Sequence, residues 1–310
     1  MEAVVVRKSM DRKKTMLRTN TFHYLLMLAP GFIVIALINL LPMYGILIAF
    51  KHFNVGLGVW KSPWTGWENF DAVLRNPSSF KVIKNTLVIA VMKIIAGQIV
   101  PLAFALLLNE VRIRSFKRIV QTVVYLPHFL SWVILAGIIR DMLSLDGLIN
   151  KLVIALGLQP IMFLGSNTWF RPIIILTDVW KEFGFAAIVY LAALTAINPS
   201  LYEAGDMDGA TRMQKLRFIT LPSLSPTIVL LATLSLQNVL NAGFDQVFNL
   251  YNNLVYDTGD IIDTYVYRMG LENLQYEIGT AVGLIKSVIS MALIIIAYKL
   301  ASKYANYRIF

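Results

Sequence analysis

Ionisable side chains interrupt one apolar stretch of this sequence, and they are the first candidates for chemistry. Asp178, Lys181 and Glu182 lie at positions i, i+3 and i+4, a spacing that places them on one face of a helix. Lys181 is then within reach of Asp178 for an ion pair. Because a charge in apolar surroundings is costly, the three residues predict either a structural ion pair or a polar path through the protein.

Amide side chains form a second polar group near the end of a later apolar stretch. Asn238 and Asn241 are three residues apart, and Phe244 is three residues further along, so a continuous helix would present them as one stripe. Amides hydrogen-bond hydroxyl groups, and an aromatic ring packs against a flat C–H surface. The stripe therefore suits a polyhydroxylated solute, and the alternative is that the amides bond to neighbouring helices.

Two further lysines, Lys93 and Lys286, lie in the middle of apolar stretches. Together with Lys181 they would suit an anionic, uronate-containing sugar if they lined a water-filled path; otherwise they pair with other helices. The sequence contains no cysteine, which excludes thiolate metal sites, disulfides and a cysteine nucleophile. The three histidines are too far apart in sequence for a local metal site: His23, His52 and His128. No catalytic residue, metal or cofactor is predicted.

The composition indicates a membrane protein. Of the 310 residues, 57% are apolar and 15% are charged, whereas about 25% are charged in soluble domains. Six apolar stretches are long enough to cross a bilayer, and they leave no room for a soluble catalytic domain. The stretches are residues 24–50, 84–110, 119–139, 172–194, 218–244 and 278–298. Their Leu, Ile, Val and Ala runs predict helices rather than barrel strands, and hence an all-α membrane protein.

The net charge of +10 is distributed in a way that indicates membrane topology rather than nucleic-acid binding. With six spans, the basic N-terminal arm, the 111–118 loop, the 195–217 segment and the basic C-terminal tail fall on one side. The opposite side contains the acidic 245–277 segment. Because cytoplasmic loops collect Lys and Arg, both termini are predicted to be cytoplasmic.

If a seventh apolar stretch, residues 152–170, crossed the membrane, each later loop would lie on the opposite side of the membrane. The interior of this stretch contains glycine, proline and amide residues, which favour a short interfacial or re-entrant helix over a span. The predicted organisation is therefore a basic cytoplasmic arm at residues 1–20 and a six-helix transmembrane domain at residues 21–310.

The segment 197–222, between the fourth and fifth spans, is predicted to form a rigid cytoplasmic knob. Pro199 opens a short helix, with Ser200 as its cap and Glu203 completing a capping box. Gly209 allows a sharp turn, and a second short helix precedes Pro222. Two short helices at an angle suit insertion into a groove of a soluble partner.

This segment resembles the EAA loop of the permeases of binding-protein-dependent ABC importers. The family pattern is Glu-Ala-Ala, three residues, Gly, nine residues, Ile, one residue, Leu-Pro. Six positions match at the family spacing: Glu203, Ala204, Gly209, Ile219, Leu221 and Pro222. Gly205 departs from the pattern, which lowers helix propensity by about 1 kcal/mol relative to alanine.

Other parts of the chain are similar to the carbohydrate-uptake branch of these permeases. They include Gly66-Trp-Glu-Asn-Phe70, Tyr125-Leu-Pro127 and Asp178-Val-Trp-Lys181, and Leu41-Pro-Met-Tyr-Gly45 looks most like members that import oligosaccharides or polysaccharide fragments. The resemblance implies the fold of a type I importer permease in the cell membrane. It also implies as partners a second homologous permease, two ATP-binding subunits, an extracytoplasmic solute-binding protein and a carbohydrate solute.

The resemblance implies a role for two sets of residues. The expected contact with an ATP-binding subunit consists of Glu203, Ala204, Gly205, Asp208, Gly209 and Ala210. The expected solute path includes Asn238, Asn241 and Phe244, together with Asp178 and Lys181. Since the chain has no Gly-x-x-x-x-Gly-Lys-[Ser/Thr] loop, it is expected to be a permease and not an enzyme, with ATP hydrolysis on a partner. The alternatives are a secondary transporter, which usually shows paired repeats, and a permease for a non-carbohydrate solute.

Overall fold

The computed structural model describes residues 22–305, and the basic arm predicted at residues 1–20 lies outside them. Within residues 22–305 the chain forms helices and no strand. The first helix, α1, is Phe22–Phe50. The others are α2 Gly58–Lys61, α3 Glu68–Arg75, α4 Pro77–Glu110, α5 Arg114–Tyr125, α6 Trp132–Leu143, α7 Leu148–Ala155, α8 Asn167–Thr195, α9 Pro199–Met207, α10 Arg212–Lys215, α11 Leu221–Leu236, α12 Phe244–Leu250, α13 Tyr256–Gly259, α14 Ile262–Tyr267 and α15 Tyr276–Ala305.

Four helical segments are long and apolar enough to cross a membrane without a break. They are Phe22–Phe50, Pro77–Glu110, Arg212–Leu236 and Tyr276–Ile296. Two further candidates are bent pairs: α5 and its 3-10 extension with α6 and α7, at 104°, and α8 with α9, at 66°. Counting each bent pair as one span gives the predicted six, and the all-α membrane architecture is confirmed.

The end of the bundle that carries segment 197–222 is called the proximal end here, and the opposite end the distal end. Three apolar clusters hold the bundle together. One joins α4, α6, α8 and α12 around Phe170, a second joins α3, α4, α14 and α15 around Tyr265, and a third joins α4, α8 and α11 around Tyr190 at the proximal end.

The third predicted span is not one continuous helix. A 3-10 turn, Leu126–Phe129, follows α5, and the chain is extended at Leu130 and Ser131 before α6 begins. Pro127 lacks the N–H needed to continue an α-helix, and the Ser131 side chain accepts a hydrogen bond from Ile134 N at 3.4 Å, which caps α6. The prediction of an uninterrupted helix over residues 119–139 is therefore wrong.

The seventh apolar stretch is not a span, as predicted. Residues 152–170 contain the end of α7, a loop, a 3-10 turn and the start of α8. The fully buried Asn150 folds this region back on itself, because its amide donates to Ser144 O and Ile161 O, each at 2.9 Å, and accepts from Ile161 N at 2.8 Å. A buried side-chain amide whose hydrogen bonds all go to backbone groups fixes the conformation of a loop, which apolar packing alone would not do.

Candidate functional site

Segment 197–222 forms two short helices, as predicted, but the first is capped differently. The side chain of Asn198 accepts a hydrogen bond from Ser200 N at 3.0 Å, and Pro199 is the first helical residue. Asn198 is therefore the N-cap, since proline at the first position fixes the residue before it as the cap. The predicted capping box between Ser200 and Glu203 is wrong because Ser200 is already inside the helix.

The turn between α9 and α10 depends on Gly209. Its φ is +71°, and no atom lies within 4 Å of the position that a Cβ would occupy. The left-handed backbone conformation, and not a lack of space, therefore calls for glycine. The amide of Ala210 donates to Gly205 O at 2.8 Å, which closes the last turn of α9.

Side-chain contacts fix α10 against α9. Thr211 and Gln214 form a capping box at the start of α10, and Lys215 Nζ lies 2.5 Å from Asp206 Oδ1. The capping box orders the start of α10, and the ion pair of Lys215 with Asp206 joins α10 to α9. A motion imposed on α9 would therefore carry α10 and the following helix with it.

The departure from the family pattern at Gly205 has a structural account. A Cβ at this position would lie 3.2 Å from Ile219 Cδ1 and 3.5 Å from Lys215 Cγ. Alanine would fit only if the Ile219 side chain moved by a few tenths of an ångström. Glycine thus allows α9 to approach the start of the next span more closely, at the cost of some helix propensity.

The predicted contact residues lie together on the knob. Glu203, Ala204, Asp208 and Gly209 are exposed, whereas Gly205 and Ala210 are partly buried. The knob also presents two exposed methionines, Met207 and Met213, at 89% and 69% of their accessible surface. Flexible, polarisable methionine side chains are common at docking surfaces.

A polar cluster lies in the middle of the bundle, and its pairing differs from the prediction. Asp178 pairs with Lys93 of α4 at 3.0 Å, not with Lys181. Lys93 Nζ also donates to Ala242 O at 2.7 Å and to the side chain of Gln246. The fully buried Gln246 in turn donates to Ile174 O at 2.8 Å. Asp178 faces the adjacent α4, and a partner on that helix was not visible from the local spacing.

Lys181 belongs to a different cluster, at the break between α5 and α6. Its Nζ donates to Glu182 Oε1 at 2.7 Å and to His128 O at 2.9 Å. His128 Nδ1 lies 2.7 Å from Glu182 Oε2, and its ring stacks on Phe185 with centroids 4.0 Å apart. The predicted pair of Lys181 with Asp178 is wrong, because their helix turns the two side chains toward different neighbours.

All three lysines inside apolar stretches have carboxylate partners. Lys93 pairs with Asp178, Lys181 with Glu182, and Lys286 of α15 with Asp263 of α14. The alternative of pairing between residues of the protein is thus the one observed. Since each ammonium is neutralised, these lysines provide no argument for an anionic solute.

The predicted stripe of Asn238, Asn241 and Phe244 is interrupted. Helix α11 ends at Leu236, a turn follows, and α12 begins at Phe244 after Gly243, whose φ is +92°. The prediction of a continuous helix to residue 244 is wrong, since the left-handed glycine cannot continue an α-helix. Asn238 and Asn241 are exposed at this break.

The break distributes these residues over different cavities. Asn238 lines a cavity of about 240 Å³ with Gln98 and Tyr190. Phe244 lines another of about 690 Å³, with Tyr267 and Tyr276 of the distal half. The structure therefore does not bring Asn238 and Phe244 to one surface.

An aromatic cluster around Phe244 was missed from the sequence. Its ring lies 5.1 Å from that of Phe248 and 5.7 Å from that of Tyr267, and Phe248 and Tyr267 are 4.8 Å apart. Tyr251 continues the series beside Phe248 at 6.1 Å. The i, i+4, i+7 spacing of Phe244, Phe248 and Tyr251 was a visible signal, but the contribution of Tyr267 required the fold.

The segment after α12 is fastened to the distal ends of α4 and α8. Lys81 Nζ lies 2.8 Å from Asp257 Oδ1, Asn85 Nδ2 donates to Asp260 O at 3.1 Å, and Arg171 Nε donates to Thr258 O at 2.9 Å. The hydrogen bond and the charge of Lys81 hold the pKa of Asp257 below its ordinary value. These contacts close the distal end over the polar cluster.

The fold and the proximal knob define a class: a polytopic helical membrane protein with two short, closely joined helices on one face and polar groups inside. Residues 97–306 match the family described as binding-protein-dependent transport system inner membrane component. The chain belongs to this family, and it is therefore a multi-pass transport permease of the cell membrane. The predicted family is confirmed, and the secondary-transporter alternative is set aside.

Relatives of the chain support this assignment over its whole length. The polygalacturonan/rhamnogalacturonan transport system permease protein YteP of Bacillus subtilis (strain 168) is 41% identical over 99% of this chain and 96% of its own length. Protein LplB of the same organism is 43% identical over 93% of this chain and 91% of its own.

A solved structure with the same fold is a chain of a bacterial ABC transporter involved in the import of the acidic polysaccharide alginate. It is 37% identical, with a TM-score of 0.86, over 94% of this chain and 99% of that one. The predicted permease fold is confirmed. A second structure, with a TM-score of 0.84 and 37% identity over 92% of this chain and 96% of that one, contains the alginate transporter with its alginate pentasaccharide-bound periplasmic protein.

Proposed function

We propose that this chain is one of two permease subunits of an ATP-driven oligosaccharide importer, with six spans and both termini in the cytoplasm. The observation that carries the proposal is the proximal knob, whose exposed methionines and acidic residues form a rigid docking surface. The basic residues of the 111–118 and 195–217 segments lie at the same end, which favours a cytoplasmic location for it.

The knob is the proposed contact with one of two ATP-binding subunits. A groove on that subunit would receive α9, with Glu203, Ala204, Gly205, Asp208, Gly209 and Ala210 at or beside the contact. Because α9 is joined rigidly to α10 and the fifth span, closure of the ATP-binding subunits would move the span. A second homologous permease would supply the other half of the path, and a solute-binding protein would deliver the solute at the distal end.

The proposed solute is an acidic oligosaccharide. One relative, YteP, is named for the transport of polygalacturonan and rhamnogalacturonan, whose names denote galacturonate units, and the structural neighbour belongs to a transporter involved in the import of the acidic polysaccharide alginate. The support for an acidic solute thus comes from these relatives, since the buried lysines of this chain are neutralised.

Acidic and neutral oligosaccharides provide the test. We expect a galacturonate oligomer, presented by the binding protein, to stimulate ATP hydrolysis by the assembled importer in vesicles, because closure follows delivery of the right solute. A neutral glucose oligomer of the same length should leave the basal rate unchanged. Equal stimulation by both oligomers would contradict an acidic solute, and stimulation by neither would contradict an oligosaccharide of this kind.

Within the chain, the proposed wall of the solute path is the aromatic cluster of Phe244, Phe248 and Tyr267, and the exposed amides of Asn238 and Asn241 are proposed to contact the solute from a separate surface. Aromatic faces pack against the C–H surfaces of sugars, and amides bond their hydroxyls. Asp178 and Lys181 are proposed to support the wall of the path without contacting the solute. Asp178 orients Lys93, which holds the carbonyl of Ala242 at the break.

Removal of one ring should weaken transport without loss of assembly. We expect Phe244→Ala to raise the solute concentration needed for half-maximal uptake by about tenfold, which corresponds to the 1 to 1.5 kcal/mol of an aromatic contact. Phe116→Ala, which changes an exposed phenylalanine at the proximal start of α5, is the matched control and should leave uptake unchanged. If the two variants behaved alike at equal membrane amounts, the cluster would not be the wall of the path.

A further inference from the structure

A narrow apolar cavity of about 300 Å³ lies between α4, α14 and α15, and Leu240, which lies between the two amides of the proposed solute path, also lines it. Its lining comes mainly from aliphatic side chains of two helices: Val82, Ile83, Leu87, Val282, Ile285 and Ile289. Two strongly exposed side chains, Leu74 and Phe80, stand at its edge, so the cavity opens on the outer surface of the bundle. Where no partner subunit covers it, such a surface of a membrane-spanning bundle faces lipid.

The cavity has the direction and size of a hydrocarbon chain. The lining residues of α15 begin at Val282 and end at Leu293, which corresponds to about 16 Å along the helix axis at 1.5 Å per residue. Its volume holds roughly ten groups of the size of a water molecule, at about 30 Å³ each. An apolar cavity of this shape, parallel to the spans, fits one acyl chain and not a hydrated sugar.

The distal end of the cavity contains a hydroxyl group without a partner. Ser79, in the first turn of α4, is 6% exposed and lines the cavity. Within the part of the chain that the structure describes, its Oγ forms no hydrogen bond. A buried donor left unsatisfied is destabilising, and the ester carbonyl of a glycerolipid, at the head of its acyl chain, is an acceptor of the kind that Ser79 requires.

The charges around the cavity fit a phospholipid headgroup. Lys84, one helical turn after Phe80, is exposed, and its long side chain can extend toward the membrane surface to meet a phosphate. Lys286, inside the cavity, is paired with Asp263 and adds no net charge. The interior of the cavity is thus apolar and carries no net charge, and the ammonium group of Lys84 lies outside it.

We propose that this cavity binds one acyl chain of a phospholipid from the surrounding bilayer. The ester carbonyl of the lipid would accept a hydrogen bond from Ser79, and its phosphate would lie near Lys84. The bound lipid would fill the space between α4 and α15 and hold α14 in place through both.

Photochemical labelling of the assembled importer tests the proposal. The probe is phosphatidylglycerol with a diazirine in one acyl chain, mixed into phosphatidylethanolamine vesicles. After irradiation and digestion, we expect label to concentrate on Val282, Ile285 and Ile289 and to exceed that on Met291, which is 59% exposed on the same helix. Even labelling along α15 would show only ordinary contact with bulk lipid and would overturn the proposal.

Two variants separate a bound chain from chance contact. Val282→Trp fills the cavity and should abolish the concentrated label, whereas Val288→Trp, at a position 53% exposed to the outside, should leave it intact. Ser79→Ala removes the hydroxyl group and leaves the packing of the cavity unchanged, so it remains informative if the Val282→Trp protein does not assemble. We expect Ser79→Ala to lower the label several-fold. Unchanged labelling in Ser79→Ala, or labelling that occurs in the separate chain but not in the complex with the second permease, would overturn the proposal.

Discussion

Replacement of Gly209 by valine is expected to abolish solute-stimulated ATP hydrolysis by the assembled importer while the protein remains in the membrane. The φ of +71° at this position is strained for any residue with a Cβ and most of all for a β-branched one. The strain, of the order of 1 to 3 kcal/mol, would be relieved by reopening the turn between α9 and α10. The knob would then lose the fixed angle with which it enters a groove. The measurement is the ATPase rate of reconstituted complex with and without loaded binding protein.

A matched control tests whether the effect comes from the knob itself. Gly157 has a φ of +79° and also has no atom within 4 Å of a Cβ position, but it lies after α7 and outside the knob. Gly157→Val bears the same strain and should keep most of the stimulation. Gly209→Asn should also retain part of it, since asparagine tolerates the left-handed region better than other residues. Full stimulation in Gly209→Val would contradict the role of this segment in coupling.

Replacement of Lys93 by methionine is expected to destabilise the protein strongly. The Lys93 side chain is 9% exposed and that of Asp178 is 25% exposed, so the change leaves a carboxylate in the bundle interior without its cation. Breaking a buried pair by removing one partner costs about 3 to 5 kcal/mol. Ala242 O and the Gln246 side chain lose the same donor. The expected result is a lower midpoint of thermal denaturation of the purified complex and less protein in the membrane.

The double variant Lys93→Met with Asp178→Leu distinguishes lost charge pairing from lost volume. It removes both charges, and most of the stability should return, because apolar groups of similar size replace buried ion pairs with little loss. Lys81→Met, which breaks an exposed pair on the same helix, should change the midpoint little. A denaturation midpoint for Lys93→Met equal to that of Lys81→Met would show that the cluster is not a structural clamp.

The positions of the helices could be predicted from the sequence, whereas the breaks inside two of them were not predicted. Each apolar stretch must satisfy its own backbone hydrogen bonds within a bilayer, so its length and composition indicate a helix directly. The breaks at Leu130 and at residues 237–243 occur within equally apolar sequence. Whether Pro127 or Gly243 interrupts a helix depends on which neighbouring residues form hydrogen bonds with the backbone groups that the break leaves without a partner. The Lys93 ammonium on Ala242 O is such a neighbour, and it comes from 149 residues away.

The two parts of the candidate site, the knob and the interior polar groups, also differ in how far the sequence predicted them. The knob was predictable because its signals are local: a proline at the start of one helix, a glycine between two helices and a fixed spacing from Glu203 to Pro222. Even there the cap was assigned two residues too late, at Ser200 instead of Asn198. The interior groups were paired wrongly, since the local i, i+3 rule considers only partners on the same helix.

The sequence by itself determined that this chain is a membrane permease, which of its parts are long and apolar enough to cross a membrane, and where the two short helices of the knob lie. These features follow from hydrophobicity, backbone satisfaction and short-range turn chemistry, which act along the chain. Only the tertiary structure decided that Asp178 pairs with Lys93, that the stripe from Asn238 to Phe244 is interrupted, and that Phe244, Phe248 and Tyr267 form one surface. Those outcomes depend on which helix faces which, and the free energy of a buried charge or ring is set by the neighbour that packing brings to it and not by its place in the sequence.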